Sequence, residues 1–263
     1  MVGPERLAGG MGNGGRVVRI GETVRRPVGA FETATLVLLR ELAGSDFRAP
    51  VPIGNDEQGR SCFGWIDGEV PVPPYPRWSL TDSAMASVGR LLRRYHDAAR
   101  SVRLRAGLDW CQELADPRGG PIICHNDVCP ENVVFHDHEA IAMLDFDFAA
   151  PGRPVWDLAQ TARMWIPLRP AQFNGDRAHL DPVTRLRVLA DAYNLEAAEH
   201  REFVDAIVES RRLASRFVQR RVQAGEPAFV EAWERHGMAA GDASILIWLE
   251  QHRNGFLTAL TED

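Results

Sequence analysis

The N-terminal part of the chain alternates between apolar and polar positions in short stretches, a pattern typical of β-strands joined by turns. Residues 16–20 and 23–26 predict two strands separated by only two residues, which is the spacing of a β-hairpin. Residues 31–42 instead repeat apolar side chains every three to four positions, which predicts a helix. Strand character returns at 61–66. This region is therefore expected to be β-rich with one helix.

Four prolines within residues 70–76 mark a change in the pattern, because proline-rich segments form stiff, extended links. Directly afterwards, residues 79–82 have the Ser-x-x-Asp form of a capping box, and an apolar stripe continues from there to residue 99. This predicts a long amphipathic helix. We therefore expect an N-lobe at 1–69, a proline-rich hinge at 70–76 and a C-lobe at 77–263.

Helical periodicity dominates the chain beyond residue 153. Residues 154–166 predict one helix, and Asp181 followed by Pro182 is typical of the start of another. The predicted fold class is thus α+β, with a small β-rich N-lobe followed by a larger, mostly helical C-lobe.

The composition is that of a globular protein, with 263 residues of which 45% are apolar and 25% charged. No stretch reaches the roughly 18 uncharged apolar residues of a membrane span, and no secretory signal is evident, so we expect a cytoplasmic protein. A net charge of −6 argues against a nucleic-acid partner. The four cysteines form no CxxC pair, which favours reduced thiols over disulfides or a zinc site.

All 30 basic residues are arginine, because the chain contains no lysine. Where an anion-binding site would otherwise use a lysine, this chain must use the planar guanidinium group of arginine. That group binds phosphate and carboxylate groups through two parallel hydrogen bonds. This restriction applies to every anion site considered below.

Two apolar strands, at 133–135 and 141–144, flank a polar turn and predict a second hairpin. Asn132 precedes the first strand and Asp145 follows the second, so the hairpin should bring them together, roughly 5 Å apart, as for cross-strand neighbours. Amide and carboxylate oxygens suit a hard divalent cation, and Mg²⁺ is the expected one. Asp127 lies five residues before Asn132 and adds a carboxylate whose role need not be metal binding.

These residues resemble the catalytic core of the protein-kinase-like fold, in particular the aminoglycoside phosphotransferase family of small-molecule kinases. The family motif HxDxxxxN matches His125, Asp127 and Asn132. The aspartate that follows at a strand end matches Asp145, and the D-L-A motif at a helix start matches Asp157. The resemblance implies that Asp127 accepts or orients the substrate hydroxyl while Asn132 and Asp145 hold Mg²⁺ against the ATP phosphates. His125 and Asp157 would brace the catalytic loop.

The resemblance also implies a nucleotide site in the N-lobe. The glycine-rich residues 8–15 would offer backbone amides to phosphates. The next strand would supply a basic residue for the α- and β-phosphates, and strand alternation sends only one of Arg25 and Arg26 inward; we expect Arg25. The family's glutamate partner for that cation aligns near Thr35, and Glu32, one turn earlier, is the expected substitute.

By the same resemblance, the segment that begins at Phe63 is the hinge under the adenine. The Gly64 carbonyl and the Ile66 amide would contact the base, and Phe63 would close the back of the site. The implied cofactors are ATP, with GTP left as an alternative, and Mg²⁺. The predicted activity is phosphoryl transfer to a hydroxyl of a small molecule, with an aminoglycoside or another antibiotic among the candidate acceptors.

Two other interpretations stay open. Asp145 and Asp147 after an apolar strand also fit the DxD metal site of a nucleotide-sugar glycosyltransferase, which would need a repeated strand–helix pattern before the motif. A non-catalytic nucleotide-binding module is the third, although it would have no evident use for Asp127.

The acceptor class is open as well. A polycationic aminoglycoside would need carboxylates around it, a choline-like amine an aromatic cage, and a neutral sugar or antibiotic neither. For partners, we expect a small hydroxylated substrate, no nucleic acid and no membrane, with the chain a monomer or a weak homodimer.

Overall fold

The structure is a computed structural model that describes residues 3–7, 16–102, 107–235 and 238–261. The glycine-rich segment 8–15, which the sequence analysis places near phosphates, lies outside the described residues. The predicted α+β class is confirmed, because most of the strands come first and most of the helices afterwards.

The N-terminal part forms a five-stranded antiparallel sheet and one helix. Its elements are β1 (Glu5–Arg6), β2 (Val18–Ile20), β3 (Thr23–Arg26), α1 (Glu32–Leu42), β4 (Pro52–Asn55) and β5 (Ser61–Gly64). In space the strands follow the order β1-β2-β3-β5-β4. The first predicted hairpin is confirmed as β2 and β3, with Val18 opposite Arg25. The predicted helix is confirmed as α1, which buries Leu38 and Leu42 completely.

Two short strand pairs lie further along the chain. Antiparallel pairing joins β6 (Ile122–Cys124) to β9 (Ala150–Gly152) and β7 (Val133–His136) to β8 (Glu139–Met143). The second pair confirms the other predicted hairpin, whose turn residues Asp137 and His138 have left-handed φ angles of 50° and 63°. The β6–β9 pair joins distant segments, and no local pattern predicts it.

Helices form most of the remaining described chain. They are α2 (Asp82–Ala99), α3 (Pro154–Trp165), α4 (Pro182–Tyr193), α5 (His200–Gln223), α6 (Pro227–Arg235) and α7 (Met238–Thr261). The predicted cap of α2 is wrong: Thr81 caps it, accepting a hydrogen bond from the Ala84 N–H at 3.2 Å, while Ser79 lies in the preceding 3-10 turn. The predicted cap of α4 is confirmed, since Asp181 accepts from the Thr184 N–H at 2.7 Å.

A large cluster of buried side chains connects the sheet region to the helices. Its fully buried aromatic residues include Tyr95 of α2, Trp156 of α3, and Phe146, which lies in the turn after β8. Gly89 lets α2 approach α4 closely, because a Cβ atom there would lie 3.0 Å from the Leu189 carbonyl oxygen. The segments between β6 and α3, which carry the candidate chemistry, therefore rest on a packed support.

The proline-rich segment 70–76 contains neither helix nor strand, as its prolines predict. Just before it, Gly68 has a φ of +146° and lies so close to β7 that a Cβ atom would be 2.4 Å from the Phe135 carbonyl oxygen. Only glycine fits there. The chain thus leaves the sheet in contact with the β7–β8 hairpin, and the exact lobe boundaries stay a prediction.

Between residues 77 and 120, the described part of the chain holds α2 and no strand. The repeated strand–helix pattern that a DxD glycosyltransferase needs is therefore not found there. Among the described residues, none of the helices has the length and apolar content required to span a bilayer.

Candidate active site

The β7–β8 hairpin places Asn132 and Asp145 at its open end. Val133 lies opposite Met143 in the ladder, and the Leu144 N–H donates to the Asn132 carbonyl at 2.8 Å. Both residues line one cavity of about 280 Å³. The Asp145 backbone is left-handed, with φ 56° and ψ 74°, a conformation that non-glycine residues seldom adopt outside turns and functional sites. The structure thus brings together the amide and the carboxylate that the hairpin predicts at one site.

Arg26 bridges the carboxylates of Asp145 and Asp147. Its Nη1 lies 3.1 Å from Asp145 Oδ1, and its Nη2 lies 2.6 Å from Asp147 Oδ1. Burial alone would lower the pKa of Arg26, but the charges of Asp147 and Asp145 outweigh it and raise the pKa. Burial and the charge of Asp147 raise the pKa of Asp145 to about 6. Two carboxylates against one guanidinium leave this corner of the cavity with excess negative charge.

The prediction that Arg25 faces inward is wrong, because Arg26 faces the cavity. Arg25 points away from the cavity, with its Nε 3.7 Å from Asp56 Oδ2 and a contact to the Thr23 hydroxyl. Arg26 and Val24, two positions apart on β3, line the cavity instead. Alternation does send one arginine inward, but the apolar Val24 determines which face is inward.

Glu32 does not take the place of the family's helix glutamate. Its carboxylate accepts a hydrogen bond from the Ser61 hydroxyl, and the ion-pair partners of Arg26 are Asp145 and Asp147. The charge of Glu32 still contributes to the raised pKa of Arg26, after burial and the two aspartates. The position aligned with the family residue, Thr35, lines the cavity.

Asp127 lies beside Asn132. The Asn132 Nδ2 donates to the Asp127 main-chain carbonyl at 2.8 Å and to its Oδ2 at 3.0 Å. Burial and the charge of Asp145 raise the pKa of Asp127 to about 8, although the charge of Arg163 opposes the shift. A carboxyl group with this pKa is largely protonated at neutral pH unless a nearby cation lowers the pKa. Because the Asn132 amide nitrogen is committed to Asp127, the amide oxygen remains for another partner.

Two residues of the motif, Asp157 and His125, hold the loop that carries Asp127 through hydrogen bonds. Asp157 is fully buried and accepts hydrogen bonds from the N–H of His125 at 2.7 Å and of Asn126 at 2.8 Å. The His125 Nε2 lies 2.8 Å from the Leu144 carbonyl oxygen, and its Nδ1 accepts from the Asp127 N–H at 3.3 Å. Burial lowers the pKa of His125, so the ring is neutral and this donor–acceptor pattern fixes its tautomer.

One further member of this bracing network was not predicted from the sequence. His96 of α2 contacts Asp157 Oδ2 through Nε2 at 3.0 Å and the Tyr193 hydroxyl through Nδ1 at 2.7 Å. Burial alone would raise the pKa of Asp157, but the hydrogen bonds from His96 and from the His125 N–H hold it below its ordinary value. The available signal was a histidine on the apolar stripe of α2, because a buried polar ring needs partners.

The rest of the cavity is largely apolar and lies against β5. The predicted hinge residues Phe63, Gly64 and Ile66 all line it. The Gly64 N–H donates to the Val51 carbonyl at 3.0 Å, whereas the Ile66 N–H donates to none of the described residues. A flat apolar ligand in this cavity would therefore find an available backbone donor at its edge.

The donor atoms at the open end of the hairpin suit a hard cation. Asp145 and Asp147 supply carboxylate oxygens, and Asn132 supplies the amide oxygen that its own hydrogen bonds leave available. Within the described ranges, no group of three or more His, Cys, Asp or Glu side chains is arranged to hold a metal ion. Such an ion would therefore need further oxygen ligands from water or phosphate, as is usual for Mg²⁺.

Known proteins are similar to this chain in the region that carries these residues. A model of the phosphotransferase enzyme family (APH) matches residues 97–190, a range that includes both the β7–β8 hairpin and the loop around Asp127. The trifolitoxin immunity protein of Rhizobium leguminosarum bv. trifolii is 30% identical over 268 residues, covering 94% of this chain and 96% of that protein.

Solved structures share the whole fold at low identity. A choline/ethanolamine kinase family protein from Mesorhizobium loti has a TM-score of 0.66 and 18% identity, with 98% of this chain and 92% of that chain covered. The GDP complex of aminoglycoside 2'-phosphotransferase-IIIa has a TM-score of 0.59 and 12% identity, with 97% and 93% covered. At these identities the likeness establishes the protein-kinase-like fold alone. Together with the family model and the full-length relative, it shows that this chain belongs to the aminoglycoside phosphotransferase (APH) family of phosphotransferase enzymes.

Proposed function

We propose that this protein transfers the γ-phosphoryl group of ATP to a hydroxyl group of a small molecule. The observation that carries the proposal is the cavity end where Asn132 and Asp145 meet, with Asp127 hydrogen-bonded to Asn132. Phosphoryl transfer needs positioning and charge neutralisation more than covalent chemistry, and these side chains supply both.

The nucleotide would occupy the cavity of about 280 Å³, with its base against Phe63 and at the Gly64 and Ile66 backbone. Arg26 is the guanidinium nearest the phosphates in this arrangement, because it is the arginine that lines the cavity. In the absence of lysine, its two-pronged donor geometry is suited to phosphate oxygens. In this proposal residues 1–69 bind nucleotide, 70–76 form the hinge, and 77–263 carry the catalytic loop and the acceptor site.

The residues fit Mg²⁺ at Asp145 and Asn132, where an excess of carboxylate charge meets an amide oxygen that accepts no hydrogen bond from the described residues. When bound, the ion would neutralise phosphate charge. Asp127 would hold the acceptor hydroxyl and take its proton as a general base. His125 and Asp157 are positioning residues, since they contact the loop rather than the reacting groups.

The test is ADP release from ATP and Mg²⁺ over a panel of hydroxyl compounds, with GTP as a parallel donor. We expect Asp127→Asn to lower turnover by about 10²- to 10⁴-fold, the usual contribution of a general base. The same variant should keep the stabilisation by ATP and Mg²⁺ in thermal unfolding. Wild-type turnover in Asp127→Asn would remove Asp127 from this role, and no ADP release with any acceptor would oppose the proposed reaction.

A second candidate function is protection against an antibacterial compound. It rests on the 30% identity to a trifolitoxin immunity protein over nearly the whole of both chains. Expression in a sensitive strain should raise the minimal inhibitory concentration of trifolitoxin or of an antibiotic in a test panel. If protection proceeds by phosphorylation, Asp127→Asn will abolish it; protection that survives this substitution would indicate binding alone.

A further inference from the structure

Four arginines near the end of α3 act on one another through their charges, and we call them the arginine cluster: Arg163, Arg169, Arg177 and Arg211. The last turn of α3 lies against the catalytic loop, because the Trp165 Nε1 donates to the Val128 carbonyl at 2.7 Å. Two residues earlier, the Arg163 guanidinium donates to Gln160 Oε1 at 3.3 Å and 2.9 Å. Its hydrogen bonds to described residues thus go to a neutral amide and to no carboxylate.

The other members of the cluster are also poorly matched by acids. The Arg169 guanidinium makes no hydrogen bond or ion pair with the described residues, although it is only partly exposed. Arg177 donates to the Met164 carbonyl at 2.7 Å and lies over the Tyr75 ring, and its buried Nε has no partner among the described residues. Arg211 pairs with Asp242 through Nη2, while its buried Nε bonds to nothing in the part of the chain that the structure describes.

The nearby carboxylates are already engaged or exposed. Asp242 accepts from Arg211, from the Ser215 hydroxyl and from Gln219 at 3.0 Å, so both of its oxygens are occupied. Glu131 accepts from the Tyr75 hydroxyl at 2.9 Å. Asp176 is exposed to solvent. Of the four guanidinium groups, Arg211 alone has a carboxylate within ion-pair distance among the described residues.

The electrostatic consequences reach Asp127. Burial, followed by the charge of Arg211, lowers the pKa of Arg163 to about 10, and the charge of Asp127 opposes that shift. Burial and the charges of Arg177 and Arg211 lower the pKa of Arg169 to about 10. Guanidinium groups remain charged at neutral pH even so, and their mutual repulsion is a cost that a bound anion would remove.

Resting on the proposed function, we propose that the phosphoryl acceptor carries an anionic group, a carboxylate or a phosphate, which Arg163 and Arg169 bind while its hydroxyl lies at Asp127. The planar donor forks of arginine match both anions. The same cluster would repel the ammonium groups of a polycationic aminoglycoside or a choline-like amine. This site narrows the acceptor class that composition alone leaves open.

Anion binding tests the site without any phosphoryl transfer. Inorganic phosphate and acetate are titrated by calorimetry, at constant ionic strength set with chloride, into protein carrying Arg26→Gln, which removes the guanidinium of the nucleotide cavity. We expect binding, and a Kd weaker by about tenfold or more when Arg163→Gln and Arg169→Gln are added, the usual effect of losing charge-assisted hydrogen bonds. Preference for phosphate or acetate identifies which anion the acceptor carries.

Arg216→Gln is the matched control, because Arg216 lies on the exposed face of the same helix as Arg211; it should leave the Kd unchanged. If the double substitution prevents folding, Arg169→Gln alone serves, since it breaks no hydrogen bond to the described residues. No anion binding to the Arg26→Gln protein, or a Kd unaffected by the cluster substitutions, would overturn the inference.

Turnover then separates this inference from the proposed function. A hydroxy acid, its primary amide and the corresponding amino alcohol on one carbon skeleton are compared as acceptors by ADP release. We expect kcat/KM for the acid to exceed that for the other two by about tenfold or more, and Arg163→Gln with Arg169→Gln to remove the preference. ADP release that favours the amide or the amine would overturn the anionic class and leave phosphotransfer standing. Anion binding without ADP release would do the reverse.

Discussion

Charges of opposite sign act on Asp127 from two regions, that of Asp145 and that of Arg163. On the nucleotide side, Asp145 and Asp147 share one guanidinium, that of Arg26, at 3.1 Å and 2.6 Å. On the other side, Arg163 and Arg169 lack carboxylate partners among the described residues. The first side is short of positive charge and suits a cation, whereas the second is short of negative charge and suits an anion. Unbalanced buried charge thus indicates which ligand each side is suited to bind.

The largest loss of turnover is expected from a substitution on the acidic side, and it tests whether that side binds a cation. Asp145→Asn keeps the size of the side chain but removes its charge, and we expect turnover to fall by about 10³-fold, because several kcal/mol of charge stabilisation by the ion would be lost. The added stabilisation that Mg²⁺ gives to the ATP complex in thermal unfolding should disappear as well. A protein whose ATP complex still responds to Mg²⁺ would show that the cation lies elsewhere.

A second substitution pair sharpens the assignment of the cavity face. Arg26→Gln should raise the KM for ATP by about 10- to 100-fold, the effect of losing hydrogen bonds between charged groups. Arg25→Gln is the matched control on the opposite face of β3, next to Asp56, and should change KM by less than about twofold, as for a surface ion pair. Equal effects of the two substitutions would contradict the placement of Arg26 at the phosphates.

Both sides depend on a fixed catalytic loop between them. Asp157→Asn removes the charge of a fully buried carboxylate that accepts from His96 and from two backbone N–H groups. We expect the free energy of unfolding in urea to fall by about 3 kcal/mol, as for a broken buried charge pair. The control is Asp181→Asn at the exposed cap of α4, where asparagine caps about as well and the loss should stay within a few tenths of a kcal/mol. Similar losses would mean that Asp157 does not brace the loop.

The remaining prediction concerns pH. The pKa of Asp127 is raised from 3.8 to about 8, so the folded chain binds this proton more tightly than the unfolded chain does. Its contribution to stability is present below the unfolded pKa and is lost as the pH rises through about 8. The Tm of the wild type should therefore fall relative to that of Asp127→Asn across this range. Other groups are common to both proteins, so a wild type that gains relative stability with pH would contradict the raised pKa.

Local patterns predicted those features that depend on residues close together in the chain. The β2–β3 and β7–β8 hairpins, helix α1 and the Asp181 cap all follow from periodicity or from a cap residue within one turn. The prediction failed where two neighbouring residues could both act as the helix cap. Thr81 rather than Ser79 caps α2, since both hydroxyl residues precede the helix and only the entry angle of the chain selects one.

The residues of the candidate site also fall into those that the sequence could predict and those that it could not. The motif residues from His125 to Asp157 were recognisable through the family resemblance, because a family motif is read as a fixed spacing along the chain. The choice of Arg26 over Arg25 was also within reach, because the apolar Val24 on the same strand shows which face is inward. The contact of His96 with Asp157, across 61 positions, was not.

By itself, the amino-acid sequence determined the α+β class, the hairpin that joins Asn132 to Asp145 and the absence of any lysine. The tertiary structure alone decided that Arg26 bridges the two aspartates and that Arg163, on α3, lies near enough to Asp127 for the two charges to interact. The reason is physical: periodicity reports which face of an element is apolar, whereas the balance of charge in a site depends on which distant faces pack together.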